Sequence, residues 1–527
     1  MNRQRAFAQI LLASIAGFGI PTGTAQDLRL DVLIRGGRVI DGTGSSAVRT
    51  DVGISDDRIV FLGDAGQRRL AASRTIDATG LIVAPGFIDP HTHAAAQLAN
   101  PRASHNQPYL YQGVTTLFVG NDGESPLDIN AAFKEWQSHG IGTNVATFIG
   151  HGAVRRAVVG VRDVLVSAEH MAKMRALVAT AMENGALGLS TSLSYVPGHF
   201  ATTEEVIELS KVAAAYGGIY DTHLRSEDSS GIGLLASLEE ALRIGREAKI
   251  PVHISHIKVG SADLWGQSKQ VIGLINQARA QGLQITANQY PYSASSTGQF
   301  TQSLGVPAWA LDGGRDELLK RLGDETIRSK LLAAMNEQIR LLGGPNAILF
   351  AKGGTVWPDI AGKYLSAIAD EASKSPAEAA LDIIQRGGRI RTISFRMNEG
   401  DIEEFMRQEW VMTGSDGGFG HPRMYGTFPR KIREYVFNRK ILTLPAAIRA
   451  SSALAAETFG LTGRGKIREG YFADIVVFDE ATIADRATYE EPTILPNGIR
   501  FVLVNGHVVI DEGEYNGTLA GRTLRKR

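Results

Sequence analysis

The chain has no cysteine among its 527 residues, which excludes disulfide bonds and thiolate metal ligands. Any metal ion that this protein binds must therefore be held by nitrogen and oxygen atoms. The chain also has no net charge, because 55 lysines and arginines balance 55 aspartates and glutamates. Without an overall positive field, we expect no binding to nucleic acid or to an anionic membrane.

The sequence also has no hydrophobic run of about 20 apolar residues, which is the length needed to span a bilayer. The N-terminal run AFAQILLASIAGFGI, from Ala6 to Ile20, is shorter than that and follows the basic residues Arg3 and Arg5. This pattern predicts a secretory signal peptide over residues 1–25, cleaved after Ala25. An uncleaved membrane anchor is the alternative. We therefore expect a periplasmic or secreted protein without stable membrane insertion after signal removal.

Both ends of the remaining chain have the pattern of β-strands. LDVLIRGGRVIDGTG near the start and IRFVLVNGHVVIDEGEYNG near the end alternate apolar and polar residues between Gly and Asp turns. A few hairpins alone cannot cover a hydrophobic core. We therefore expect residues 26–82 and 454–527 to form one small β-sandwich domain.

The middle of the chain, residues 83–453, alternates apolar strand-like runs with amphipathic helical segments. The strand candidates are LIVAPGFID, VTTLFVG, NVATFIG, ALGLSTS, GGIYDTH, VHISH, LQITANQY and WVMTGSD. Such a series of βα units predicts an α/β fold, a (β/α)8 barrel of the TIM type, with functional groups at the C-terminal ends of the strands. A largely helical insertion at about 297–391 interrupts the series, and we expect a lid there.

Histidines and acidic residues follow several of these strand candidates. In APGFIDPHTH, His91 and His93 are two positions apart, so an extended segment aims both imidazoles to one side. This pair alone is also compatible with chance. His223, His256 and Asp416 follow the fifth, sixth and eighth strand candidates. Because the strand ends of a barrel meet at one rim, the set predicts a metal site.

These residues lie in motifs that resemble a known family. The motifs are APGFIDPHTH, GVTTLFVGN, GALGLSTSLSYVPG, THLRSE, ISHIK, YPYSASST, MTGSDGG and HPRMYGTFPR. They resemble the amidohydrolase superfamily and, within it, the N-acyl-D-amino-acid deacylases, or D-aminoacylases. The similarity covers nearly the whole chain after the predicted signal peptide, and GLSTSLSYVPG and HPRMYGTFPR are specific to this branch.

The resemblance implies a zinc-dependent enzyme that hydrolyses the amide bond of N-acyl-D-amino acids. One or two Zn²⁺ ions are expected, with Mn²⁺ or Co²⁺ as possible substitutes. His223 and His256 would bind the firmer metal, and His91 and His93 a second or weaker one. Asp416 would touch the metal and act as general base and acid, taking a proton from the attacking water and returning it to the leaving amine.

The sequence departs from the family at the second strand. The deacylases usually place a metal-bridging cysteine in a GNCG turn, whereas this chain has Asp122 in GNDG. A carboxylate can also bridge two metals, and its harder oxygen makes the site less selective between metals. The alternative is a simple turn residue, since Asn-Asp-Gly favours turns. ALGLSTSLSY contains no lysine for the carbamylated bridge of other amidohydrolases, which favours Asp122 as a ligand.

Recognition of an N-acyl amino acid requires donors for its carboxylate. The candidate substrate-binding residues are Tyr195, Lys258, Arg225, Ser295, Arg423 and His151. For the first five a rim salt bridge or a capped turn is the alternative. His151 would either help to polarise the substrate carbonyl or only orient another residue of the site.

Two rival functions remain open. One is a dipeptidase, lactonase or other amidase on the same scaffold, because stereochemistry is not encoded in a motif. The other is a periplasmic binding protein without catalytic activity. The complete ligand set with its base favours catalysis on a small-molecule amide.

Overall fold

The computed structural model describes residues 29–526, so the predicted signal peptide lies outside the described residues. Within this part of the chain, no helix has both the length and the apolar character needed to cross a bilayer.

Every strand candidate of the middle region contains an observed strand, and the parallel strands lie in two sheets. The larger sheet contains, in spatial order, Ile149–Gly150, Gly188–Ser192, Ile219–His223, Val252–Ile254, Ile285–Gln289 and Val411–Thr413. The smaller sheet contains Asn144–Thr147, Val114–Val119 and Phe87–Asp89. These strands are almost entirely buried, as expected for parallel strands covered on both faces.

The hydrogen-bonded sheets are not one continuous barrel, which differs from the prediction. The segment NVATFIG is interrupted at Phe148, so its two halves belong to different sheets. At the other side, the backbone N–H of Asp416 donates to the carbonyl of His91 at 2.9 Å, and that of His93 donates to Gly417 at 3.0 Å. These bonds join the loops after the first and last strands, and both loops carry candidate ligands.

The terminal segments form two further sheets. The first contains Arg58–Gly63, Asp51–Ser55, Leu30–Arg35 and Ala72–Asp77 in spatial order. The second contains Glu514–Tyr515, His507–Asp511, Ile499–Val504, Ile475–Phe478, Ile82–Pro85, Arg38–Val39 and Val48–Arg49. Residues of both sheets, such as Val52 and Val477, share one apolar core. The segment LIVAPGFID therefore divides, because Ile82–Pro85 joins a terminal sheet and only Phe87–Asp89 joins the parallel strands.

The insertion before the last parallel strand contains helices, as predicted, but also a small antiparallel sheet. Its strands, in spatial order, are Ala294–Thr297, Thr392–Phe395 and Ile348–Phe350. Because Ala294–Thr297 and the central strand Thr392–Phe395 come from opposite ends of the insertion, their pairing brings both ends together beside the parallel strands. The insertion has an apolar core of its own, which includes Leu331, Met335 and Leu381.

Helices surround the parallel strands and fill the insertion, and several begin at a side chain that caps the first turn. Ser167, Thr202 and Ser375 each accept a backbone N–H of that turn. The α-helices are Ala95–Leu98, Gln107–Leu110, Ile129–His139, His151–Val158, Ala168–Glu183, Thr203–Ala215, Leu234–Ala248, Ser268–Ala280, Phe300–Ser303, Arg315–Arg321, Glu325–Leu341, Leu365–Ala372, Pro376–Arg386, Glu399–Met406, Arg423–Arg430, Leu444–Ala450 and Ala453–Phe459. A π-helix spans Lys431–Asn438, and 3-10 turns span Gly198–Phe200, Ala262–Leu264, Ala308–Leu311 and Pro345–Ala347.

Candidate metal centre and active site

The predicted ligands converge at the C-terminal ends of the parallel strands. One group consists of His91, His93, Asp122 and Asp416, whose ligand atoms all lie within 4.8 Å of one another. Within it, His93 Nε2 lies 3.0 Å from Asp416 Oδ1, and His91 Nε2 lies 3.3 Å from Asp122 Oδ2. Residues separated by more than 300 positions thus meet at one point.

A second group consists of Asp122, His223 and His256. His256 Nε2 and His223 Nδ1 lie 3.5 Å and 3.9 Å from Asp122 Oδ1. The two oxygens of Asp122 therefore face different groups, Oδ2 toward His91 and His93 and Oδ1 toward His223 and His256. This arrangement suits a carboxylate that bridges two metal ions.

The donor atoms at this centre fit a metal ion. His91 Nε2, Asp122 Oδ1 and His223 Nδ1 are buried and have no hydrogen-bond partner within residues 29–526. Buried polar atoms are nearly always paired, so several unpaired acceptors that face one point fit a cation-binding site. Imidazole nitrogens and carboxylate oxygens without thiolates are the donors that Zn²⁺ accepts at open, catalytic sites.

The orientation of His91 is fixed from behind. Its Nδ1 lies 3.1 Å from Ser255 Oγ, and Ser255 donates to Asp221 at 2.8 Å. Asn121 donates to the other Asp221 oxygen at 3.1 Å. These hydrogen bonds leave His91 Nε2 directed at the centre, as is usual for a metal-binding histidine. Burial raises the pKa of Asp221 to about 7.

His256 is held by a second carboxylate. Its Nδ1 lies 3.1 Å from Glu227 Oε1 and 2.7 Å from Lys258 Nζ, and Lys258 also pairs with Glu227. Burial and Lys258 lower the pKa of His256, but the carboxylates of Glu227 and Asp122 outweigh them and raise it to about 9. Such an excess of negative charge favours a bound cation. At His223, burial lowers the pKa to about 4 and keeps the imidazole in its metal-binding neutral form.

Three residues of the centre have a left-handed backbone. The φ angles of Asp122, His256 and Asp416 are +55°, +36° and +49°. Non-glycine residues rarely adopt this region, and its cost is tolerated mostly where function demands a particular side-chain direction. In each case the turn comes directly after a strand and aims the side chain at the shared point.

Asp416 forms an ion pair with a buried arginine. Arg423 Nη1 lies 2.9 Å from its Oδ2, while His93 contacts its Oδ1. Burial would raise the pKa of Asp416, but the guanidinium of Arg423 and the hydrogen bond to His93 hold it far below its ordinary value. Asp416 is therefore a carboxylate with one oxygen fixed and the other directed at the centre.

A cavity of about 1080 Å³ leads from the centre to the insertion. Among the predicted substrate-binding residues, Tyr195, Lys258, Arg225 and Ser295 line it. Arg225 has four of its N–H groups engaged, two by Glu240 and two by backbone carbonyls. It therefore stabilises its loop and has few N–H groups left for a substrate.

Two other predicted substrate-binding residues do not line the cavity. Arg423 is fully buried between Asp416 and the carbonyl of Ser296. His151 is fully buried and bonds Glu205 at 2.8 Å. The sequence placed His151 at a strand end and Arg423 in the HPRMYGTFPR motif, but it gave no indication that an acidic partner would keep them out of the cavity.

Several residues of the site were not predicted. Glu227 lies four positions after His223 in the THLRSED segment, and Asp221 lies two positions before it on the same strand face. The spacing of these two residues from His223 could have identified them in the sequence. Arg391 and Arg396 come from the end of the insertion, and no local motif points to them.

Comparison with known proteins agrees with this geometry. A model of the Amidohydrolase family matches residues 74–510. The chain belongs to the amidohydrolase family. The D-aminoacylase of Alcaligenes xylosoxydans xylosoxydans is 36% identical over 94% of this chain and 98% of its own. The N-acyl-D-glutamate deacylase of the same organism is 33% identical over 94% and 97%. The predicted resemblance to the deacylases is confirmed.

Solved structures give the same relationship. A crystal structure of D-aminoacylase, described as defining a novel subset of amidohydrolases, has a TM-score of 0.80 at 33% identity and covers 94% of this chain and 100% of its own. The N-acyl-D-glutamate deacylase of Bordetella bronchiseptica, complexed with zinc and a phosphonate inhibitor, has a TM-score of 0.81 at 31% identity with the same coverage. A D-hydantoinase at 15% identity and a TM-score of 0.58 shares the fold.

Proposed function

We propose that this protein is a zinc-dependent hydrolase that cleaves the amide bond of N-acyl-D-amino acids. The observation that carries the proposal is a pair of ligand groups that share Asp122 at the inner end of a large cavity. The relatives named D-aminoacylase, N-acyl-D-glutamate deacylase and N-acyl-D-aspartate deacylase support the substrate class.

The residues that would hold zinc follow from the two groups. His91, His93 and Asp416 would bind one ion, His223 and His256 the other, and Asp122 would bridge them. When bound, Zn²⁺ polarises the amide carbonyl and makes water more acidic. A related D-aminoacylase is described as having a binuclear metal centre with one-metal activation and second-metal attenuation.

Asp416 would move the proton. With Oδ2 held by Arg423, the oxygen that faces the centre, Oδ1, would accept a proton from the water that attacks the amide carbon. The same oxygen would then give this proton to the leaving nitrogen, so that the products are a carboxylic acid and a D-amino acid. Arg423 acts through Asp416 by keeping it ionised and oriented.

The proposal is tested by elemental analysis of the purified protein together with hydrolysis assays on N-acetyl-D- and N-acetyl-L-amino acids. We expect bound zinc, hydrolysis of the D-forms, loss of activity on chelation and recovery with Zn²⁺. Hydrolysis of dipeptides or lactones but of no N-acetyl-D-amino acid would replace the proposed substrate class. A zinc-loaded protein without hydrolytic activity on any of these compounds would indicate a binding protein.

We further infer that the two parallel sheets belong to one (β/α)8 barrel and that the terminal sheets form one small sandwich. The backbone bonds between the loops at His91 and Asp416, and the core shared by the terminal sheets, support this inference. The domains would be 26–82 with 454–527, and 83–453 with the insertion at about 297–391.

We also propose export to the periplasm. The basic and apolar pattern of residues 1–25 supports it. N-terminal sequencing of protein from a periplasmic fraction should begin at Gln26, and an intact Met1 in the cytoplasmic fraction would contradict export.

A further inference from the structure

Arg391 lies at the end of the insertion, directly before the strand Thr392–Phe395, and lines the cavity. Its side chain is mostly buried, yet within residues 29–526 no carboxylate oxygen lies within 4.0 Å of its guanidinium. The hydrogen bond that its side chain makes, from Nη1 to Ser296 Oγ, is long at 3.4 Å. The guanidinium therefore has donors to spare.

The other cations beside the centre are already neutralised. Lys258 and Arg396 both pair with Glu227, and Arg396 also pairs with Asp228. Arg225 pairs with Glu240. Their charges are thus balanced by the protein itself.

Burial of a cation without an anion is unfavourable. Burial and the neighbouring Arg423 together lower the pKa of Arg391 to about 10. The guanidinium is still charged at neutral pH, and an anion that enters the cavity would be stabilised by a charge-assisted, bidentate contact.

The position of Arg391 indicates which anion fits. Its guanidinium lies against Gly418, where an added Cβ would be 3.0 Å from Nη1 and 3.1 Å from Nη2. Gly418 comes two residues after Asp416, the residue that would protonate the leaving nitrogen. In an N-acyl amino acid one carbon separates that nitrogen from the α-carboxylate. A guanidinium beside this loop is therefore close to the place where the α-carboxylate must lie.

We propose that Arg391 binds the α-carboxylate of the substrate. This inference rests on the proposed function and adds to it a specificity residue supplied by the insertion. It also explains why an unpaired cation, which is unfavourable for stability, lines the cavity, since functional sites are commonly built at the expense of stability.

The test compares Arg391→Gln, Arg391→Lys and the wild type on two substrates, N-acetyl-D-leucine and its α-carboxamide. Loss of a bidentate charged contact should raise KM for the acid by roughly 10- to 100-fold, with a smaller change in kcat. The α-carboxamide should be affected less than about threefold, because it makes no ion pair. Arg391→Lys should recover part of the loss, since it keeps the charge without the planar fork.

Arg389→Gln is the matched control, because Arg389 is exposed, lies two residues earlier on the same segment and is not among the residues that line the cavity. It should behave as wild type on both substrates. Calorimetric binding of the product D-leucine, which carries the same α-carboxylate but has no amide bond to hydrolyse, gives a second readout that does not depend on turnover. Arg391→Gln should also melt no lower than the wild type, because it removes an unpaired cation.

The proposal is overturned by an unchanged KM for N-acetyl-D-leucine together with an unchanged affinity for D-leucine. Equal losses on the acid and the carboxamide, which would indicate a structural role, also overturn it. Loss confined to N-acetyl-D-glutamate would assign Arg391 to a side-chain carboxylate and also overturn it. Failure of the wild type to hydrolyse any N-acyl-D-amino acid would instead contradict the proposed function, while calorimetry would still decide the role of Arg391.

Discussion

At the scale of single residues, the centre depends on which atom each side chain presents. Asp122 offers one oxygen to each ligand group, and Asp416 offers one oxygen to the centre and the other to Arg423. Their direction comes from left-handed backbone turns that follow the strands. The strained turns thus fix the directions in which these two carboxylates point.

The role of Asp416 can be tested by Asp416→Asn, which keeps the shape and removes the proton acceptor. We expect kcat to fall by roughly 100- to 10,000-fold, the usual contribution of a general base. Zinc content is measured in parallel, because Asp416 is also a candidate ligand. Asp263→Asn, an exposed control outside the cavity lining, should keep full activity. A near-normal rate in Asp416→Asn would refute the assignment.

At the scale of elements, the last parallel strand is tied to the helices that follow it by a buried lysine. Lys431, at the start of the π-helix Lys431–Asn438, donates to Thr413 Oγ1 at 2.8 Å. Within residues 29–526 it has no carboxylate within 4.0 Å. Burial lowers its pKa from 10.5 to about 7.

The lowered pKa of Lys431 determines how the free energy of unfolding changes with pH. Between pH 7 and about 10 the unfolded chain keeps this lysine protonated while the folded chain does not, so the unfolded state binds more protons. The contribution of Lys431 to the free energy of unfolding therefore rises with pH across this window and is lost as pH falls through 7. Lys431→Met should remove a slope of about 1.4 kcal/mol per pH unit.

The measurement is the urea midpoint of wild type and Lys431→Met at several pH values from 6 to 10. The variant should gain stability relative to the wild type as pH falls. Lys269→Met, an exposed control, should follow the wild-type pH dependence. Parallel curves for the wild type and Lys431→Met would show that the lysine is charged in the fold.

At the scale of the whole molecule, a buried polar network connects the terminal sheets to the parallel strands. Arg464 pairs with Asp474, and it also donates to Asn505 at 2.8 Å. Asn505 in turn donates to Asn144, on the parallel strand Asn144–Thr147, at 2.8 Å. The C-terminal segment is thus attached by buried hydrogen bonds to the region that carries the site.

Arg464→Met should therefore destabilise the molecule by about 3 to 5 kcal/mol, because Asp474 would remain as a buried carboxylate without its cation. Chemical denaturation checks this expectation. Arg468→Met is the control, since Arg468 is exposed and only four residues away. Equal midpoints for the two variants would mean that the network adds no stability.

The sequence by itself determined the strand series, the insertion and the residues that converge at the candidate metal centre. Parallel strands that are buried on both faces have continuous apolar sequences. The candidate metal ligands follow these sequences directly, because they lie at the C-terminal ends of the strands. His91, His93, His223, His256 and Asp416 could all be found in this way. Even the substitution of Asp122 for a cysteine was visible from the local motif.

Only the tertiary structure decided how the remaining polar side chains are used. His151 directly follows a strand candidate and Arg423 lies in the motif HPRMYGTFPR, yet their pairing with Glu205 and Asp416 holds them outside the cavity. Arg391 belongs to no motif, and pairing between the two ends of the insertion brings it to the site. A charged side chain is free or neutralised according to neighbours that are far away along the chain, and local sequence patterns carry no record of such neighbours.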